Sequence, residues 1–156
     1  MGGLLHDFFL VDRQEFDYWD YSHFHNNEHA ARVHDDLIRY MGDSLEWITC
    51  HVPMTPPNLK EVKGLNYYGP TIIKEGGAAE ACNVFRIWAD LFSRAPDTLE
   101  LTGGWGWING EPAKKARYLT ISADRDSLVV SLKQIAKYAE QANSSHGRLY
   151  VLHLGI

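Results

Sequence analysis

The stretch YYGPTIIKEGGAAEACNVFRIWADLFS, residues 67–93, decides the fold of this 156-residue chain. Tyr67 to Lys74 has the β-branched content of a strand. Pro70 lacks the N–H a ladder needs, which confines that strand near an edge or places Pro70 among its first residues. Gly76-Gly77 then opens a helix running to about Ser93, in which Ala81, Val84, Phe85, Trp88, Leu91 and Phe92 recur at three- and four-residue spacing. Downstream, Thr98 to Ile108 and Arg117 to Ser122 read as a hairpin across Asn109-Gly110 and a few further loop residues. A second helix, about Asp126 to Ala142, presents Leu128, Leu132, Ile135 and Ala139 to the sheet, and a last strand covers Leu149 to Leu154. The order is βαββαβ. Right-handed crossovers leave few ways to close it, so the predicted class is α+β: a two-layer sandwich with a ferredoxin-like core over residues 67–156, both helices on one face, and a polar opposite face holding Glu100, Thr102, Tyr118 and Thr120.

Outward from this core, the Pro-rich stretch beginning at Val52 reads as an extended connector over residues 53–66, a seam within one domain of residues 1–156. Residues 1–52 form an acidic subregion with a helix and a strand. Asn26 caps a helix of about residues 27–41, ended by Gly42, with Glu28–Arg32 and Asp35–Arg39 as i,i+4 pairs and Ala30, Val33, Leu37 and Met41 as its apolar stripe. Leu45 to Val52 reads as a strand. In a competing α+β arrangement, this N-terminal strand joins the main sheet.

The net charge of −5 is unevenly spread: residues 1–50 carry ten acidic and three basic side chains, residues 51–156 ten and twelve. An acidic front repels phosphate backbones and steers basic partners, which argues against nucleic acid and for a cationic protein ligand; a merely solvated face gives the same composition. The two cysteines, Cys50 and Cys82, are too few for a disulfide framework, so a reducing, cytoplasmic setting is expected. The start has no basic n-region, and no stretch reaches the roughly 18 apolar residues of a membrane span.

Reactive constellations are sparse, and no catalytic residues or cofactor are expected. His23, His25 and His29 form the one alternative metal site, opening the reading of a small metal-dependent enzyme, yet no carboxylate or cysteine at a recognisable spacing completes it. Gly76-Gly77 has the strand-to-helix position of a phosphate cradle, but Glu75 would repel a phosphate and no Walker-type Lys follows. Cys50 and His51 are adjacent on a strand and face opposite ways. What is left is interaction chemistry. Glu15, Asp17 and Asp20 interleave with Tyr18, Trp19 and Tyr21, joining steering charge to rings of the kind that dominate interface hot spots; the same rings could instead be core. Trp105 and Trp107 are either core anchors or an aromatic patch, and a small-molecule module with a pocket beside Tyr118 and Trp105 is a further alternative.

Residues 65–73 (LNYYGPTII), the helix with Trp88, Leu91 and Phe92, and the closing Leu152-His153-Leu154-Gly155-Ile156 give the chain a general resemblance to the immunity proteins of contact-dependent inhibition and related polymorphic toxin systems. That resemblance implies a stoichiometric inhibitor of a cognate toxin domain, often a nuclease, acting in the cytoplasm. The partner-binding residues expected on the acidic front are Glu15, Asp17, Tyr18, Trp19, Asp20 and Tyr21.

Overall fold

The structure, a computed structural model, describes residues 3–156. In chain order the elements are β1 (Leu5–Asp12), β2 (Ala31–His34), α1 (Asp35–Tyr40), α2 (Gly42–Leu45), β3 (Thr49–Pro53), β4 (Leu59–Lys63), β5 (Pro70–Ile73), α3 (Glu75–Phe92), β6 (Thr98–Gly106), β7 (Arg117–Asp124), α4 (Arg125–Ser144) and β8 (Leu149–Leu154), with short 3-10 turns at Tyr21–Phe24 and Ala113–Lys115. Six strands form one antiparallel sheet in the order β2-β1-β8-β5-β3-β4, while β6 and β7 pair only with each other. The α+β class holds.

Helix α4 lies over β8, β1 and β2, and α3 over β3 and β5, with the two helices packed side by side. Strand alternation sorts the sheet's residues cleanly: Phe8, Val151 and Ile73 point into the helix-covered core, Phe9, Tyr150, Leu152 and Ile72 to the opposite face. Both faces are buried. The second face is roofed by residues 16–30, whose Phe16, Tyr18, Trp19, Tyr21 and Phe24 pack on it. Trp19 Nε1 donates to the Met54 carbonyl (2.7 Å) and Tyr150 Oη to the Asp17 carbonyl (3.2 Å), so the roof is fastened at two points.

The βαββαβ order of residues 67–156 is found, but its hairpin is not in the sheet. A ferredoxin-like arrangement needs that hairpin beside β5, and β3 occupies the place, pairing His51 with Ile72. Of the ribbon only Leu99 is fully buried; Leu101, Ile121 and Ala123 rest against the core at its base, and the far half projects. The N-terminal strand thus joins the main sheet, as in the competing arrangement.

The expected helix over 27–41 is also corrected. Ala31–His34 pairs with β1 as an edge strand, burying Ala31 and Val33 and exposing Arg32, and only Asp35–Tyr40 is helical. Arg32 reaches Asp7 (3.1 Å) across the strands and not Glu28; the Asp35–Arg39 pair forms as expected, at 3.1 Å. The connector over 53–66 is largely the β3–β4 hairpin, closed where Met54 N donates to the Asn58 carbonyl (3.0 Å). Leu45–Trp47 belongs to α2 and a turn, so β3 starts at Thr49.

Gly77 shows what α3 requires of its first turn. A Cβ there would run into the Thr49 carbonyl of β3, whereas one at Gly76 would meet nothing within 4 Å. The glycine pair serves close helix–strand packing. Gly77→Ala is therefore expected to lose about 1–3 kcal/mol and Gly76→Ala to be neutral or slightly stabilising; urea unfolding of the two variants side by side checks both.

Candidate functional site

A row of polar side chains lies inside the helix-covered face. β1 places His6 there, β8 places His153 opposite Phe8, and β5 places Thr71 opposite His153; α1 supplies Asp35. All four are buried, three of them completely. His153 Nδ1 lies 3.1 Å from Thr71 Oγ1, His153 Nε2 2.8 Å from His6 Nδ1, and His6 Nε2 3.1 Å from Asp35 Oδ1. Thr71 Oγ1 also accepts the Asn66 N–H at 2.8 Å.

One assignment of protons satisfies every atom with both imidazoles neutral. The Thr71 hydroxyl donates to His153 Nδ1, His153 Nε2–H to His6 Nδ1, and His6 Nε2–H to Asp35. Burial depresses His153 well below the usual histidine range, with the neighbouring His6 acting in the same direction. Burial also lowers His6, against an opposing pull from Asp35. The outer end of the relay is tied off by Tyr67, whose hydroxyl donates to Asp35 Oδ1, and by Arg39 Nε at 3.1 Å from Asp35 Oδ2, its guanidinium lying 4.9 Å from the Tyr67 ring centroid.

The relay has the composition of a proton pathway, but Thr71, His6 and His153 are fully enclosed, and no substrate reaches the hydroxyl or the imidazoles. What it does is hold β1, β5, β8 and α1 in register. Nothing local announces it in the sequence, because its hydrogen bonds span 29, 82 and 147 residues. The available signal was His153 between Leu152 and Leu154 on an otherwise apolar strand, a position that demands a partner.

The acidic, aromatic stretch is divided between the roof and the surface. Tyr18, 7% exposed, is a core residue, and Trp19 and Tyr21 are half-buried in the roof. Asp17 Oδ1 and Asp20 Oδ2 accept backbone N–H groups of Tyr18 and Asp17, as turn-forming residues do. Glu15 and Asp17 remain on the surface, with Arg13 Nη2 3.5 Å from Asp17; Asp20 is half-buried. His23, His25 and His29 are exposed, and among the described residues no group of three or more His, Cys, Asp or Glu is placed to hold a metal ion. Cys50 and Cys82 are free and buried, and burial pushes the Cys50 thiol up to about 12.

Exposed rings lie along the flank formed by α1, α2, α3 and the ribbon, among them Tyr40, Trp47 and Trp105. Trp47 is 68% exposed and Ile87 67%; with Val84, Trp88 and Glu80 they line a mainly apolar depression of about 350 Å³. Trp88 is fixed by its Nε1 donating to Ser44 Oγ (2.7 Å) and meets Tyr40 edge-to-face at 6.0 Å. Tyr40 in turn lines a cleft of about 540 Å³ between α1 and the ribbon, walled by Asp36, Arg39, Thr102, Trp105 and Thr120. Trp105 is 66% exposed and packs edge-to-face on Tyr118. Asp36, Asp43, Glu46 and Asp90 are exposed along this flank.

Comparison of the chain with protein-family models, with curated proteins and with solved structures finds no match. Among the described residues, no helix is long and apolar enough to cross a membrane.

Because the relay is built on neutral histidines, acid opposes it. The folded-state pKa values of His6 and His153 lie below the ordinary value of 6.5, so the unfolded chain binds more protons as pH falls. Stability is then fully present above about pH 6.5 and lost progressively below it; His51, lowered chiefly by burial, adds to the same trend. Asp12, Glu111 and Asp124, all depressed, lose their contribution only below the carboxylate range. Urea midpoints are expected to fall between pH 7.5 and pH 5.0. Thr71→Val, which leaves His153 Nδ1 without a donor, should cost about 1–3 kcal/mol at pH 7.5 by the same measurement.

Proposed function

We propose that the chain is a stoichiometric protein inhibitor of the immunity class, which binds a cognate bacterial toxin domain and neutralises it by covering its working surface. The observation that carries this reading is the flank of α1–α3 and the ribbon, where Tyr40, Trp47 and Trp105 lie open, with the half-buried Trp88 between them, and Asp36, Asp43, Glu46 and Asp90 carry exposed carboxylates. Large rings gathered on one side of a small protein mark an interaction surface, and acids around them favour a basic partner. A nuclease domain, whose substrate face is positively charged, fits that description. The enclosed relay, by contrast, gives the protein a rigid body and no open reaction centre.

The two halves of the mechanism fall on different residues. Glu15 and Asp17, with the other surface carboxylates of the first 50 residues, contribute the field that speeds encounter. Trp47, Ile87, Trp88 and Trp105 supply the area that slows departure.

The test is the toxin domain encoded beside this chain's gene, purified with the chain as a pair. A one-to-one complex by size exclusion with light scattering, and relief of toxicity on co-expression, are the expected results. Trp47→Ala should raise the dissociation rate about tenfold or more with little change in association rate. Glu15→Lys with Asp17→Lys should slow association, most at low salt, and leave dissociation unchanged. A gene without a toxin-bearing neighbour, or a purified pair that stays apart, would overturn the reading.

A further inference from the structure

We infer that the cleft between α1 and the ribbon is a receptor for one arginine side chain of the partner, held by the Asp36 carboxylate against the rings of Tyr40 and Trp105. The inference deepens the binding function proposed above and identifies the partner group that the surface reads.

Asp36, Tyr40, Trp105, Thr102 and Thr120 all line this one cavity. Its single lining cation, Arg39, is already committed: its Nε meets Asp35 Oδ2 at 3.1 Å and its guanidinium lies over Tyr67. Asp36 has no comparable partner. Its carboxylate lies 3.6 Å from His34 Nδ1, and that nitrogen is already taken up in accepting the Asp36 backbone N–H at 3.2 Å. With Arg39 paired to the buried Asp35, the Asp36 carboxylate is the one unbalanced Asp, Glu, Lys or Arg charge among the residues that line the cleft.

A carboxylate that shares a cavity with aromatic rings favours a cation, and a guanidinium more than an ammonium, because a guanidinium is planar, stacks on rings and offers paired N–H groups to a carboxylate. The hydroxyls of Thr102 and Thr120, directly opposite each other on the ribbon, are exposed acceptors for the remaining N–H groups. The ribbon is shaped for this. Its register breaks between Thr102 and Trp105, and Gly103-Gly104 fill the break as bare backbone lining the cleft; a Cβ on Gly103 would press on Ile121 and the Leu119 carbonyl, whereas one on Gly104 would meet nothing within 4 Å. A volume of about 540 Å³ exceeds one side chain, and flanking residues of the same partner segment occupy the remainder.

The chain alone suffices for the test. Nα-acetyl-arginine amide is titrated into ¹⁵N-labelled protein while the Trp105 indole N–H resonance, identified by its loss in Trp105→Phe, is followed. The neutral isostere Nα-acetyl-citrulline amide serves as comparison. A saturable millimolar shift with the arginine compound, at least fivefold weaker with citrulline, is expected. Asp36→Asn should remove the preference, and Trp105→Ala should weaken the arginine compound severalfold when followed by other cleft resonances. Equal responses to the two compounds, no saturable response, or an unaltered preference in Asp36→Asn would each overturn the receptor. None of these results depends on the toxin pair, so the docking function and its arginine site fail separately.

Discussion

A carboxylate buried as deeply as Asp35 is tolerated only where hydrogen bonds replace the water it has lost, and much of this fold is arranged to supply them. His6 serves it from β1 and Tyr67 from the loop before β5, while Arg39, from the next turn of the same helix, pairs with its charge at 3.1 Å and donates its Nε–H to the Tyr67 hydroxyl. His6 is held in its tautomer by His153, and His153 by Thr71, so the requirement spreads across three adjacent strands. The consequence is registry. A one-residue slip of β1 against β8 would turn His6 to the opposite face and leave both Asp35 and His153 short of a partner. Apolar packing alone, with Phe8, Ile73 and Val151 on one side and Phe9, Ile72 and Leu152 on the other, would resist such a slip less specifically.

The parts legible in the sequence are those whose signal is local. α3 and α4 each bury a stripe spaced three and four residues apart, and their observed spans, Glu75–Phe92 and Arg125–Ser144, fall within a few residues of the expected ones. Pro70 is the first residue of β5, as its missing N–H requires, and β8 matches Leu149–Leu154. β1 escaped because Phe8-Phe9 is buried on both faces and so shows no alternation. Ala31–His34 escaped for a different reason: four residues fit helical and strand spacing equally, and pairing with β1 decides between them. The relay was illegible for want of any short-range spacing, and the roof because an interleaved acid and aromatic string serves equally to cover a sheet or to face a partner. Its position opposite a second apolar face settles that Tyr18 is structural.

Rings in this protein therefore divide into two populations with different physics. Those of residues 16–24 face a sheet surface made of Phe9, Val11, Tyr150 and Leu152, where burial in the folded chain already removes them from water. Those of Tyr40, Trp47 and Trp105 have no such surface to cover, since the sheet has both faces filled and the ribbon's place beside β5 is taken by β3. Displacement of the hairpin from the sheet is thus what leaves its aromatic end projecting and creates the cleft against α1.

α1 joins the two systems. Its six residues turn Asp35 inward to the relay and present Asp36, Arg39 and Tyr40 to the cleft, so the buried hydrogen bonds fix the backbone on which the outer groups stand. Ordering a short helix and its side chains on binding would otherwise subtract from affinity, at about 0.5–1.5 kcal/mol for each rotamer-rich side chain immobilised. Here that ordering is completed on folding, with His34 accepting the Asp36 N–H as the helix cap and Tyr67 stacking on Arg39. The constellation most reminiscent of catalysis is a foundation: its buried hydrogen bonds hold α1 in place, and with it the outer groups that line the cleft.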